Sequence, residues 1–323
     1  MSQIDLLFVL KWWFVFLIFG ISFLPLSLKI FSSLIDKGYI FSKILGVLFV
    51  SYSIYVLGSF HLLKFTPQNI IVVWILLVVA QLFFFRMQKS ELRKLINIFL
   101  IEEVLFFASL LFWSYIKGFN PDIHDLEKYM DFGFINSILR SEYFPARDMW
   151  LTPFSINYYY FGHLYTAVAT KLSQIPSFIT FNLMLATIFA FTFTMSFSIG
   201  INFIQKINNF SLKKTYLFGL IFGYIVSLSG NLQTVYSFFK SYNAENPVPF
   251  WDMALSISPF PNSYWYPNAT RFIYHTIHEF PLYSFVVADL HGHVLSIPIV
   301  ISLIALSYVF LIENKIRYSL VLL

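Results

Sequence analysis

No cysteine occurs among the 323 residues. This excludes a disulfide, a thiolate nucleophile and a Cys-ligated metal centre, so any divalent metal ion would have to be held by histidine and carboxylate. Charge is scarce as well: Asp, Glu, Lys and Arg together make up 11% of the chain, against 58% hydrophobic residues. Soluble domains carry about a quarter charged residues, so this composition excludes an ordinary globular enzyme. There is no internal repeat, heptad, low-complexity tract or Gly-rich phosphate loop. The net charge of +5 does not mark a nucleic-acid partner, because the Lys and Arg residues fall in short segments between apolar runs, as membrane orientation requires.

What is present is aromatic and aliphatic: 41 Phe and 20 Tyr, mixed with Ile and Leu. Apolar runs at 12–28, 44–63, 70–85, 95–116, 178–203, 215–229 and 293–312 approach the ~20 residues a helix needs to cross a bilayer. The fold class is therefore all-α, a polytopic transmembrane helix bundle in which membrane lipid is a partner by construction. The run before 28 follows Lys11 and lacks a small-residue cleavage site, so it reads as a retained span. A last run, 318–323, is too short to cross, which reads as a chain truncated at its C-terminus. Lys and Arg cluster at 29–43, 86–94, 206–214 and 315–317, which would place those segments in the cytoplasm of a multi-pass cell membrane protein. The acidic excursion 118–157 and the later one 230–290 would then face outward. The alternation closes only if 158–172 does not cross, so that stretch is expected to be a helix lying at the outer interface.

Several polar residues ask for a reason. Glu102 and Glu103 sit inside the 95–116 span, either facing a cavity or hydrogen-bonded between helices. Leu126, Met130, Phe134 and Ile138 recur every four residues and paint one helix face; Glu127 and Asp131 share another, which spacing alone reads as the wet face of an interfacial helix. Asp148 lies in a Pro- and aromatic-rich loop, as a catalytic acid or a turn residue. Tyr158, Tyr159 and Tyr160 precede Gly162 and His163; tyrosines are common interface anchors, whereas His titrates near neutrality. Farther on come Arg271 and Glu279, then Asp289, His291 and His293. On an extended backbone the last three would point one way and could meet a cation; if a helix starts at 290, Asp289 is an N-cap. Spacing leans to the cap.

Taken together, these motifs resemble the YYY membrane-protein family of bacteria and archaea, named for its tyrosine triplet. The likeness runs from Glu103 to Pro298 through Asn120-Pro121-Asp122-Ile123, Met130-Asp131, Phe144-Pro145, Asn157-Tyr158-Tyr159-Tyr160-Phe161-Gly162-His163, Glu279-Phe280-Pro281 and Ala288-Asp289-Leu290-His291. The family has Pro where Gly292 stands. Its layout is similar to the GT-C glycosyltransferases, with interfacial helices in the first large outer loop. That resemblance implies a GT-C-like module over 95–323 and an amino-terminal addition over 1–94. It implies a sugar transfer from a polyprenyl-phosphate donor, a lipid-linked sugar, to an unidentified acceptor on the outer face. Asp122 or Asp131, ahead of Glu127 and Asp148, would be the catalytic base. Tyr158, Tyr159, Tyr160, His163, Arg271 and Glu279 would bind substrate, and Asp289, His291 and His293 would hold a divalent metal ion. A transporter or lipid flippase gated by Glu102 and Glu103, or a non-catalytic relative that binds lipid-linked sugar, are the competing classes.

Overall fold

The computed structural model describes residues 3–84, 89–207, 210–231, 233–239, 250–256, 266–271 and 275–313, with 260, 264 and 273. The expected last run at 318–323 and the charges at Arg86, Lys315 and Arg317 lie outside them. Twelve α-helices occur among the described residues: α1 Gln3–Ile30, α2 Tyr39–Ser59, α3 Pro67–Phe84, α4 Lys89–Lys117, α5 Lys128–Arg140, α6 Phe161–Ser173, α7 Ser177–Ile207, α8 Leu212–Leu228, α9 Gln233–Tyr236, α10 Tyr266–Thr270, α11 Pro281–Val287 and α12 Gly292–Glu313. No strand forms among the described residues; only isolated bridges such as Arg147 with Ser155 do.

Among the described residues, five helices are long and apolar enough to cross a membrane: α1, α2, α4 from Leu95, α7, and α12 to Ile312. With 18 and 17 residues, α3 and α8 are shorter than the other expected spans. The most apolar stretch of α7 is 89% buried inside the protein, against 33% for α1, α4 and α12. A helix apolar on every face can sit in the middle of a bundle, and α7 does so, packed on α4, α8 and α12. One core of buried residues runs from Val9 to Val309.

The α2 helix stops at Ser59 rather than 63 because the chain turns there, His61 taking a φ of 57°. That turn is tied to the first polar excursion. The Phe65 N–H donates to Glu142 O at 2.7 Å, and Lys64 pairs with Glu142 at 2.8 Å.

The α6 helix, at 13 residues, is about 20 Å long and cannot cross a ~30 Å hydrocarbon core. Its side chains differ from the interfacial expectation. Residues 163–170 are all buried, enclosed by α1, α2, α3, α5, α7 and α12. Gly162, Ala167, Ala169 and the threonines let these neighbours approach, and a Cβ on Gly162 would fall 2.7 Å from Leu295 of α12. Packing against these neighbours holds this helix.

Candidate functional site

The first half of the site is built at the start of α5. Asp125 and Leu126 take positive φ, turning the chain so that Glu127 stands at the N-cap and Asp131 in the first turn. Of the four-spaced apolar residues, Phe134 and Ile138 are buried, while Leu126, caught in the turn, is exposed. Asp131 is not on a wet face: its exposure is 0%, and its Oδ1 lies 2.9 Å from Nε2 of His163, also at 0%, on α6. Burial pushes the imidazole down to about 4 and the carboxyl up to about 6. His163 is therefore neutral at pH 7, and the contact is a buried hydrogen bond rather than an ion pair.

The second half follows α11. Ala288 closes that helix in the left-handed region, φ 66°, and Asp289, Leu290 and His291 run on without helix until α12 begins at Gly292. The N-cap place belongs to His291, whose carbonyl accepts from the N–H groups of Val294 and Leu295 at 3.0 Å. The cap reading of Asp289 is thus corrected: the helix starts two residues later than that reading requires. Leu290 is buried at 0%, while Asp289 Oδ2 accepts the backbone N–H of Glu127 at 3.3 Å. The side chains of Asp289 and Asp131 also meet in a hydrogen bond. Among the described residues no donor reaches the buried Asp131 Oδ2 or Asp289 Oδ1, an arrangement that favours a proton held on one of the two carboxyls. Burial, then the charge of Asp131 and that shared hydrogen bond, raise Asp289 to about 7.

Above this buried layer lies a chain of exchangeable protons. Nε2 of His291 is 2.9 Å from Glu127 Oε2, 2.7 Å from the Tyr159 hydroxyl and 3.2 Å from that of Tyr158. Its Nδ1 lies 3.0 Å from Nδ1 of His293, whose Nε2 is 3.4 Å from Glu279 Oε2 and 3.3 Å from Ser284 Oγ. Gly292 makes room for this arrangement, since a Cβ there would sit 2.3 Å from the Tyr159 ring. Glu127, Arg271, Glu279, Asp289, His291 and His293 line one crevice of about 260 Å³, so both polar excursions contribute to a single site.

Other expected residues stand apart. Asp148 Oδ1 accepts the N–H groups of Trp150 and Leu151 at 2.7 and 2.9 Å, the work of a turn residue, and borders a separate cavity of about 1130 Å³. Asp122 is exposed at an apolar groove of about 750 Å³ between α1, α4 and α7. Tyr160 parts from its two neighbours and packs, buried, against Tyr55. Two participants had no role assigned from sequence. Ser284 reaches His293, and Lys128, 7% exposed, sits in the field of Asp289, Asp125 and Asp122, with its pKa lowered by burial. Nothing in the spacing of either residue signals this. Among the described residues, no three His, Asp or Glu side chains are disposed to hold a metal ion. Asp289 is committed to Glu127 and Asp131 and His291 Nε2 to Glu127 and the tyrosines, so the expected metal trio does not fit a cation.

The model of a family described as uncharacterized membrane protein (DUF2298) matches residues 49–319. This chain belongs to that family. The match begins within α2 and takes in the whole crevice, so the DUF2298 region includes both halves of the site. No curated protein and no solved structure matches the chain. Membership, together with five helices of spanning length, makes this an integral membrane protein.

Proposed function

We propose that this DUF2298 protein is a membrane-embedded, GT-C-like glycosyltransferase that takes a sugar from a polyprenyl-phosphate donor on the outer face of the membrane. The observation that carries this reading is the contact of Glu127 with His291 inside one crevice, beside Arg271. A half-exposed carboxylate bonded to an imidazole is a proton acceptor within reach of a bound hydroxyl, and a guanidinium nearby suits a departing phosphate. The likeness of the tyrosine-triplet motif to the YYY family supports the same class.

In this mechanism the acceptor oxygen attacks the anomeric carbon, the bond from that carbon to the phosphate oxygen breaks, and configuration inverts. The hydroxyl proton passes to the Glu127–His291 pair and on toward His293 and Glu279. Arg271 meets the charge gathering on the lipid phosphate. Tyr158 and Tyr159 hold His291 in place. Asp131 cannot be the base, since no solvent or substrate reaches a side chain with 0% exposure; it positions Glu127 from below through Asp289. The base role moves from Asp122 and Asp131 to Glu127. The transporter reading has less support: Glu102 and Glu103 line none of the three cavities above.

The test is transfer from a polyprenyl-phosphate sugar to a hydroxyl acceptor by the full chain in proteoliposomes. Glu127→Gln is expected to abolish turnover while leaving donor binding intact. Undiminished turnover in both Glu127→Gln and His291→Ala rejects the proposal.

A further inference from the structure

A second set of charges lies far from the crevice. Ser177 of α7 bonds Asn136 of α5 near the site, whereas Ser198 and Asn202 stand about 30 Å farther along α7. There they meet Asp36, in the 31–38 connection between α1 and α2, and Asp36 in turn lies beside Glu102 of α4. Asp36, Lys43 and Glu102 are all at 0% exposure. Ionisable groups so placed in a membrane protein are costly and are usually kept for a use.

The charges do not balance. Lys43 pairs with Glu103 at 2.7 Å, and the Tyr39 hydroxyl and Trp13 indole N–H, each at 2.6 Å, complete the shell of Glu103. Asp36 and Glu102 remain, with no cation of their own among the described residues, and their side chains lie against each other. Asp36 receives three donors: Ser198 Oγ, the Gly38 N–H at 3.1 Å and Asn202 Nδ2 at 3.2 Å. Glu102 receives one, the Ile40 N–H on Oε2 at 3.2 Å, and its Oε1 is buried with no donor among the described residues. A carboxyl that accepts three hydrogen bonds is the anion; one with an unpartnered oxygen against that anion is the acid. Around the pair, α2 supplies Tyr39 and Lys43, α4 supplies Glu103, α8 supplies Tyr216, α1 offers Trp13, and α7 presents only neutral groups.

We propose that Asp36 and Glu102 form a binding site for one proton inside the bundle, and that this proton latches the 31–38 connection onto α4 and α7. Loss of the proton sets two anions against each other where water does not screen them, and the connection swings free. The site is independent of the sugar-transfer reading.

The cysteine-free chain makes a direct test available. Ser33 Oγ is buried without a partner, so the thiol introduced by Ser33→Cys reports opening of the connection to a maleimide. The thiol introduced by Ser211→Cys, exposed at the start of α8, corrects for thiol ionisation. In the full chain in lipid, the ratio of the two labelling rates is expected to be flat near neutrality and to rise in alkaline buffer. The rise is lost in Glu102→Gln, whose amide donates to Asp36 without titrating, and in Asp36→Asn. Infrared spectra should contain, besides any band from Asp131 and Asp289, a protonated-carboxyl band at neutral pH that disappears in Glu102→Gln. Absence of that band, its loss on adding sodium at constant pH, or an alkaline rise unchanged in both variants overturns the proposal.

Discussion

His163 Nε2 lies 2.9 Å from Asp131 Oδ1, and neither residue has any solvent exposure. This one contact fastens the start of α5 to α6. Because Asp289 joins Asp131 from the other excursion and accepts the Glu127 N–H, the position of Glu127 is set from beneath by a half-buried carboxyl that rests on the buried Asp131.

Truncating that contact should cost stability. His163→Ala leaves a buried carboxyl without its partner, an expected loss of about 1–3 kcal/mol. The apparent unfolding midpoint in detergent measures it, and an unshifted midpoint contradicts the burial described above.

Stability should also fall as pH rises to and through neutrality. Asp131 and Asp289, at about 6 and about 7, hold protons in the folded chain that carboxyls of the unfolded chain, titrating near ~4, have already released. Their contribution is complete below the unfolded value and is lost as pH rises through 6 to 7. His163, held at about 4, acts in the opposite sense and costs stability as pH falls below its unfolded value of about 6.5. Above that point only the carboxyl effect remains. Thermal midpoints should drop between pH 6 and 8, and Asp289→Asn should flatten that drop.

Two glycines separate packing from chemistry. Gly162→Ala drives a Cβ into Leu295, which is 2% exposed, and should destabilise by about 1–3 kcal/mol. Gly292→Ala instead displaces Tyr159, which is 53% exposed, from its 2.7 Å contact with His291. It should leave the midpoint nearly in place and lower transfer. Equal midpoints for the two variants would count against this division.

Lys43→Met removes the cation from a buried pair and should cost about 3–5 kcal/mol, because Glu103 is left uncompensated. Adding Glu103→Gln should restore a large part of that loss. A double-mutant cycle on unfolding midpoints reads the coupling, and simple additivity would show that the pair does not interact.

Much of the site was legible as a set of residues. Glu127, Asp131, His163, His291 and His293 stand out because carboxylates and imidazoles are conspicuous in so apolar a chain. Their partnerships were not legible. Four-residue spacing puts Glu127 and Asp131 on one side of a helix but does not say whether that side meets water or α6. Asp289, His291 and His293 alternate in the same way whether the chain there is extended or helical. Ala288 in the left-handed region and a helix start at Gly292 decide between the two. Asp122, preferred over Glu127 on sequence, and Asp148, ranked with it, lie at other cavities.

Hydrophobic run lengths by themselves determined that this is a helical membrane protein, because a bilayer accepts only segments that satisfy their own backbone hydrogen bonds over ~20 apolar residues. Which carboxyls are buried, which share a proton and which one faces the crevice was decided only by tertiary structure. Those properties belong to pairs such as Asp131 with Asp289 and Asp36 with Glu102, distant along the chain, whose protons answer to what packs around them.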